Sequence, residues 1–306
     1  MRNGVATLAA WAVVLLSAGA CTPGGSEEGA LMRGDEAFAR GDVTEALAEY
    51  RLALRQGSGD VQVLTRAAHA FGRAGRIDEA RDLYLRAVEE DPSVADLAAS
   101  DLLRIAKAAT ARRDGTAAAA AAEAAMEVKP GVSITGLALP LARHFAALGQ
   151  YGRALPYFQT AVQEGESEPQ VIFELALAHS ELGDCHRAVT FLEQIRPRVG
   201  STRRSEVDWH LGNCSFELAV EALEEGSRGE ALELFEATLR VGEPRGRLAQ
   251  AWLEVGEILA AEGRCSEAVD AFRQVQEEDL AGGAIVQRAQ DRIDQIRFRR
   301  AGDGPC

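Results

Sequence analysis

Lysine is nearly missing from this chain: Lys107 and Lys129 are the only two. Arginine does not make up the difference. Lys and Arg together number 33 against 47 Asp and Glu, and the formal net charge is −14. Affinity for a phosphate backbone needs a basic face, so this balance argues against a nucleic-acid binder. No stretch alternates apolar and polar residues with period two over any useful length. That pattern marks half-buried strands, and without it the chain reads as all-α. Catalytic signatures are missing too. There is no Gly-x-Ser-x-Gly elbow, no phosphate-cradling glycine loop and no His-Glu-x-x-His pair. Carboxylates such as Glu221, Glu224, Glu225 and Glu230 fall at helix-surface spacing, as a solvated face does, and not in convergent pairs. The expectation is a non-enzyme with no cofactor and no metal.

What is present begins with a targeting segment. Arg2 is a charged start, and Val5 to Leu16 is an apolar run too short to span a bilayer. Leu16-Ser17-Ala18-Gly19-Ala20-Cys21 follows. This resembles the signal of bacterial lipoproteins, in which small residues precede a cysteine that receives lipid. Ala18 stands where that family prefers leucine, and Ala18-Gly19-Ala20 also fits ordinary signal-peptidase cleavage. The reading is a signal peptide over 1–20, a lipid anchor at Cys21, and a Gly/Ser/Glu-rich tether to residue 29. Several acyl chains on one cysteine would hold the protein stably to a membrane. Thr22, where aspartate is absent, implies by the same resemblance an outer-membrane lipoprotein facing the periplasm. The alternative is a soluble periplasmic or secreted protein.

The rest of the chain repeats itself. Residues 64–92 read as two amphipathic helices about a turn at Gly75, with Ala80, Tyr84, Ala87 and Pro92 at fixed distances beyond it. Proline ends the unit because it cannot continue the helix ladder. Gly41, Ala46, Tyr50 and Ala53 form a copy 34 residues earlier. Gly149, Ala154, Phe158 and Ala161 form another, and Gly183, Ala188 and Leu192 follow it by 34 residues. Gly226, Ala231 and Phe235 make one more, then Gly263, Ala268 and Phe272. A degenerate unit fits between Gly75 and Gly149, turning near Arg113–Asp114. The pattern resembles the tetratricopeptide repeat. A single hairpin of this kind cannot bury its faces, so copies must stack. The resemblance implies an all-α, right-handed superhelical solenoid of about seven hairpins over 30–282. A capping helix at 283–300 and a tail at 301–306 complete the chain.

The resemblance also orders the cysteines and the ligand-facing row. Cys185 and Cys265 each start a second helix, two residues past a turn glycine. Cys214 lies on the first helix of the next unit, and Cys306 follows the capping helix. Cys185–Cys214 and Cys265–Cys306 are the expected disulfides, favoured in an oxidising compartment. Free buried thiols, or zinc held by Cys185, His186, His210 and Cys214, remain the alternatives. In such arrays the first helices line a concave groove. By repeat position that places His69, Arg73, Lys107, Arg143, Phe173 and Trp209 in the groove, a basic centre with an aromatic end. Trp209 enters the row because Gly212 lies fourteen residues before Gly226, which implies a first helix longer by about two turns. Steering charge plus aromatic anchors suits a partner segment that is acidic and partly apolar. The expected function is a protein-interaction scaffold or assembly factor in the bacterial cell envelope. The alternative is an accessory subunit of a polysaccharide or peptidoglycan export or synthesis machine. The expected partners are envelope proteins and, through the anchor, the membrane.

Overall fold

The computed structural model describes residues 27–57, 59–279, 282–298 and 306. The expected leader at 1–20, Cys21 and the tether up to residue 26 lie outside the described residues, as does the tail at 301–305. Among the described residues there are fifteen α-helices and no strand. None of these helices is long and apolar enough to cross a membrane.

Fourteen of the helices form seven hairpins. These are α1 (Glu27–Ala39) with α2 (Val43–Gln56), α3 (Val61–Arg73) with α4 (Ile77–Glu90), and α5 (Ala95–Ala111) with α6 (Gly115–Val128). Then come α7 (Ala138–Ala147) with α8 (Tyr151–Gln163), α9 (Pro169–Glu181) with α10 (Cys185–Ile195), α11 (Ser201–Glu224) with α12 (Arg228–Val241), and α13 (Arg245–Ala261) with α14 (Cys265–Glu278). The last helix, α15 (Ala284–Arg297), stands alone. At 24 residues, α11 is the long first helix expected from the displaced Gly212.

Each hairpin turns the same way for the same reason. Gly41, Gly75, Gly149, Gly183, Gly226 and Gly263 take positive φ. The amide after each returns to a carbonyl five residues back, as from Arg76 to Phe71 at 2.9 Å and from Asp184 to His179 at 2.9 Å. This closes the first helix with its last carbonyls satisfied. The third hairpin makes the identical turn on Arg113, at φ 61°, the one non-glycine residue with positive φ among the described residues. A side chain there costs about 1 kcal/mol. Asp114, next in line, offsets part of that by capping α6: its carboxylate accepts from the Ala117 amide at 3.0 Å.

Packing explains the small residues. The residue seven before the turn faces the aromatic nine after it. A Cβ on Gly34 would lie 2.9 Å from the Tyr50 ring, and one on Gly256 would strike Phe272. Where the gap is slightly wider alanine fits: Ala68, Ala142 and Ala219 are buried, like Tyr84, Phe158 and Phe235.

The helices divide into two compact units that part within the third hairpin. One holds residues up to 105 with 123–130, and the other holds 106–122 with residues from 131 onward. In the second unit Phe173, Leu192, Ile195 and Leu211 centre one core, and Phe216, Phe235, Phe272 and Ile293 another. Helix α15 lays Ala289 and Ile293 on that second core. Its Arg288 and Arg292 pair with Glu257 at 3.3 and 2.9 Å, so they are engaged within the fold. Cys185 is joined to Cys214 and Cys265 to Cys306, with Cα separations of 5.0 and 5.7 Å. With the sulfurs paired, a zinc site at Cys185, His186, His210 and Cys214 loses its thiolate ligands.

Candidate functional site

The aromatics that fill the hairpins of the first unit carry a polar tip that must be satisfied. Tyr50 and Tyr84 are both buried. Tyr50 donates its hydroxyl to Asp35 Oδ1 at 2.7 Å, and Arg66 donates to the other oxygen of Asp35 at 2.5 Å. Tyr84 donates to Asp101 Oδ2 at 2.6 Å. His69 Nδ1 donates to that same oxygen at 2.9 Å, while Arg104 holds Oδ1. Arg104 also lies 3.4 Å from His69 Nδ1. That nitrogen's hydrogen is committed to Asp101, so this is proximity and not a hydrogen bond. Each carboxylate therefore ties neighbouring hairpins together: Asp35 joins α1, α2 and α3, and Asp101 joins α3, α4 and α5.

Between these two brackets lies a groove of about 650 Å³. Phe38 and Leu97 form apolar walls, and Thr65 and Ser100 add hydroxyls. Phe38 meets His69 edge to face at 5.4 Å. Leu97 is 59% exposed and presents its side chain at the mouth of the groove. The charged heads at the rim are held by their own partners. They keep the walls in place and leave little net charge for a ligand to neutralise.

The electrostatics follow from that arrangement. Burial, and then the hydrogen bond to a carboxylate, push both tyrosine phenols above their ordinary range, so each stays a donor. Burial would raise the Asp101 carboxyl. The hydrogen bonds from His69 and Tyr84, with the charges of His69 and Arg104, more than offset it, and Asp101 sits below its ordinary 3.8. A depressed carboxylate contributes stability that is present above its unfolded value and is lost as pH falls through the folded one. Asp101→Asn is therefore expected to cost about 1.5–3 kcal/mol near neutral pH, the range for a hydrogen bond to a charged group. The gap to wild type should shrink as pH drops below 3.8. Urea unfolding across acid pH checks this, and a gap independent of pH would sink it.

The tetratricopeptide repeat model matches residues 31–95, 139–199 and 216–283. The chain belongs to the tetratricopeptide repeat family. Its unmatched middle is the hairpin that turns on Arg113 in place of glycine. Stacked repeats of this kind create extended concave surfaces that serve for binding. No curated protein matches it. Among solved structures it is similar to Naa15/Naa10 bound to HypK-THB, at 14% identity and a TM-score of 0.42. The match covers 90% of this chain and 40% of that one, so the chain spans well under half of that relative's length. It is similar to the C-terminal part of a TPR repeat-containing protein from Cytophaga hutchinsonii, at 14% identity, TM-score 0.38, covering 86% of this chain and 99% of that one. It is also similar to YrrB, a TPR protein with an unusual peptide-binding site, at 16% identity, TM-score 0.33, covering 79% and 97%. Likenesses this low carry no argument about partners.

The repeat row expected to face a ligand divides between the units. His69 lines the groove, and Arg73 is exposed at the end of α3. Lys107, Arg143, Phe173 and Trp209 belong to the second unit. Lys107 is exposed. Arg143 is engaged: its Nε donates to Glu174 at 2.8 Å, so it is half of an ion pair and not an open basic centre. Phe173 needs correction as a ligand anchor. It is 3% exposed, with the edge of His210 at 5.7 Å and the Arg203 guanidinium 5.3 Å above its ring. Its repeat position is right, but the next hairpin closes over it. Trp209 remains 46% exposed, packed edge to face on His210 at 4.8 Å. The Tyr–Asp brackets, Phe38 and Leu97 were not foreseen. The available signal was the pair of hydroxyl-bearing aromatics, Tyr50 and Tyr84, where the fourth, sixth and seventh repeats use Phe158, Phe235 and Phe272.

Proposed function

We propose that the chain is an interaction scaffold of the bacterial cell envelope that grips an extended partner segment in the groove between α1, α3 and α5. The observation that carries this reading is a preformed cavity walled by half-buried Phe38 and exposed Leu97, held open by the carboxylate brackets of Asp35 and Asp101. Preorganised walls reduce the ordering cost of binding. The occupant is a segment that places one apolar side chain between Phe38 and Leu97, with its backbone near Thr65 and Ser100. Repeat arrays recognise extended segments through such first-helix surfaces. The envelope location is supported by the leader and Cys21. The two cysteine pairs at bonding distance also support it, because disulfides persist outside the reducing cytosol.

A photo-crosslinking amino acid at Leu97, in cells, tests the groove and the location together. The expected adduct forms at Leu97 and not at Ala48, an exposed position on α2. It should sediment with membranes and be released by Cys21→Ser. With the identified partner purified, Leu97→Asp is expected to weaken binding by about tenfold, or 1.4 kcal/mol, at unchanged helix content. Equal crosslinking at Ala48, or wild-type affinity in Leu97→Asp, rules the groove out. A soluble wild-type protein rules out the anchor.

A further inference from the structure

A second cavity lies wholly within the second unit, where α10 and the turn after it meet α11 and α12. Its volume is about 520 Å³, within the range of small-molecule sites. Three guanidiniums line it: Arg196, Arg204 and Arg240. Arg196 is held by Asp208 at 2.6 Å, and Arg204 donates to the Val199 carbonyl at 3.3 Å. Arg240 has no ion-pair partner among the described residues. Glu193 is the one carboxylate in the lining. Within this lining three guanidiniums face one carboxylate, with Asp208 taken by Arg196; on its other side Arg240 borders Glu233 and Glu236 without an ion pair to either.

Two features point to a ligand and away from a merely solvated cluster. Ser215 lines the same cavity and is 2% exposed, yet its hydroxyl has no hydrogen-bond partner among the described residues. Buried hydroxyls are seldom left unpaired, and one that is calls for an explanation such as a bound group. Arg204 also sits in the first turn of α11, where a cation opposes the helix dipole. It is not there for the sake of the helix.

We propose that this cavity is an oxyanion site that takes a phosphate monoester. Arg204 and Arg240 neutralise the head, and the Ser215 hydroxyl donates to one of its oxygens. Leu211 and Val241 receive the uncharged body. The inference is independent of the groove in the first unit, since no residue is shared.

Calorimetric titration of the full chain with inorganic phosphate and with glycerol 3-phosphate tests it, each against chloride at matched ionic strength. Matching removes general screening, which would otherwise mimic binding to exposed arginines. The expected result is saturable binding at one site per chain. Arg204→Gln combined with Arg240→Gln should weaken it by about tenfold or more. Ser215→Ala should weaken it about threefold while leaving the ligand-free melting temperature no lower, because the hydroxyl removed was unpaired. Arg228→Gln, on the exposed start of α12, should bind as wild type. Tighter binding of glycerol 3-phosphate than of phosphate would place the body on the apolar wall, and equal binding would assign only the head. No saturable binding of either probe overturns the proposal, and so does wild-type binding in the double arginine variant. The double variant must keep its helical content. Should it unfold, Arg240→Gln alone is read in its place.

Discussion

Reducing the Cys185–Cys214 bond is expected to lower the stability of the second unit by about 3–4 kcal/mol. The bond closes a span of 29 residues from the start of α10 to the middle of α11. Cutting it returns that loop's entropy to the unfolded chain. Both sulfurs are buried, at 4% and 0% exposure. A buried thiol behaves as a small hydrophobe, so the reduced protein keeps its packing and loses only the crosslink. Cys185→Ala with Cys214→Ala removes the sulfur volume as well, and should cost roughly 1 kcal/mol more. The Cys265–Cys306 bond would confuse a reductant experiment. Measurements therefore belong in a Cys265→Ser, Cys306→Ser background. Urea unfolding with and without reductant gives the difference. If the two curves coincide, or if native protein shows two titratable thiols in that background, the crosslink is not formed.

Gly212→Ala is expected to cost about 2 kcal/mol, although the same change stabilises most helix interiors. Two effects compete. Alanine gains about 1 kcal/mol over glycine in a helix. At this position, however, the added Cβ would run into the backbone carbonyl oxygen of Glu243. The obstacle is main chain from the α12–α13 connection, which no rotamer change can move aside. The same contact is fixed from the other side, because buried Thr238 donates to the Gly212 carbonyl at 3.1 Å. Overpacking of this kind costs about 1–3 kcal/mol, and a backbone obstacle belongs at the upper end. The clash outweighs the propensity gain. Gly152→Ala, in open space on the first turn of α8, is the control and should be neutral or slightly stabilising. A Gly212→Ala protein as stable as wild type would show that the two helices can separate without loss.

Local spacing was enough for the hairpins. Turn glycines, the small residue seven before and the aromatic nine after are set within about sixteen residues. Their steric reasons, left-handed backbone and a ring against a missing side chain, act inside one hairpin. The weak third repeat follows the same logic, since Arg113 adopts the glycine conformation at a cost and so hides the signature. The Cys185–Cys214 pairing was also within reach, because it joins one hairpin to the next at known repeat positions.

What a repeat position could not decide was whether the neighbouring hairpin covers a side chain or leaves it open. Phe173 and Trp209 both stand in the ligand-facing row, yet one is buried and the other half exposed. Arg143 reads as a free cation until α9 brings Glu174 to 2.8 Å. Asp101 reads as one more surface carboxylate until Tyr84, His69 and Arg104 converge on it from three helices. The displaced Gly212 announced a longer α11, but only the packing of the α12–α13 connection shows why no side chain fits there. Spacing along a helix determines which face a residue occupies. Burial and charge depend on the distance to chain tens of residues away, and that distance exists only once the hairpins have stacked.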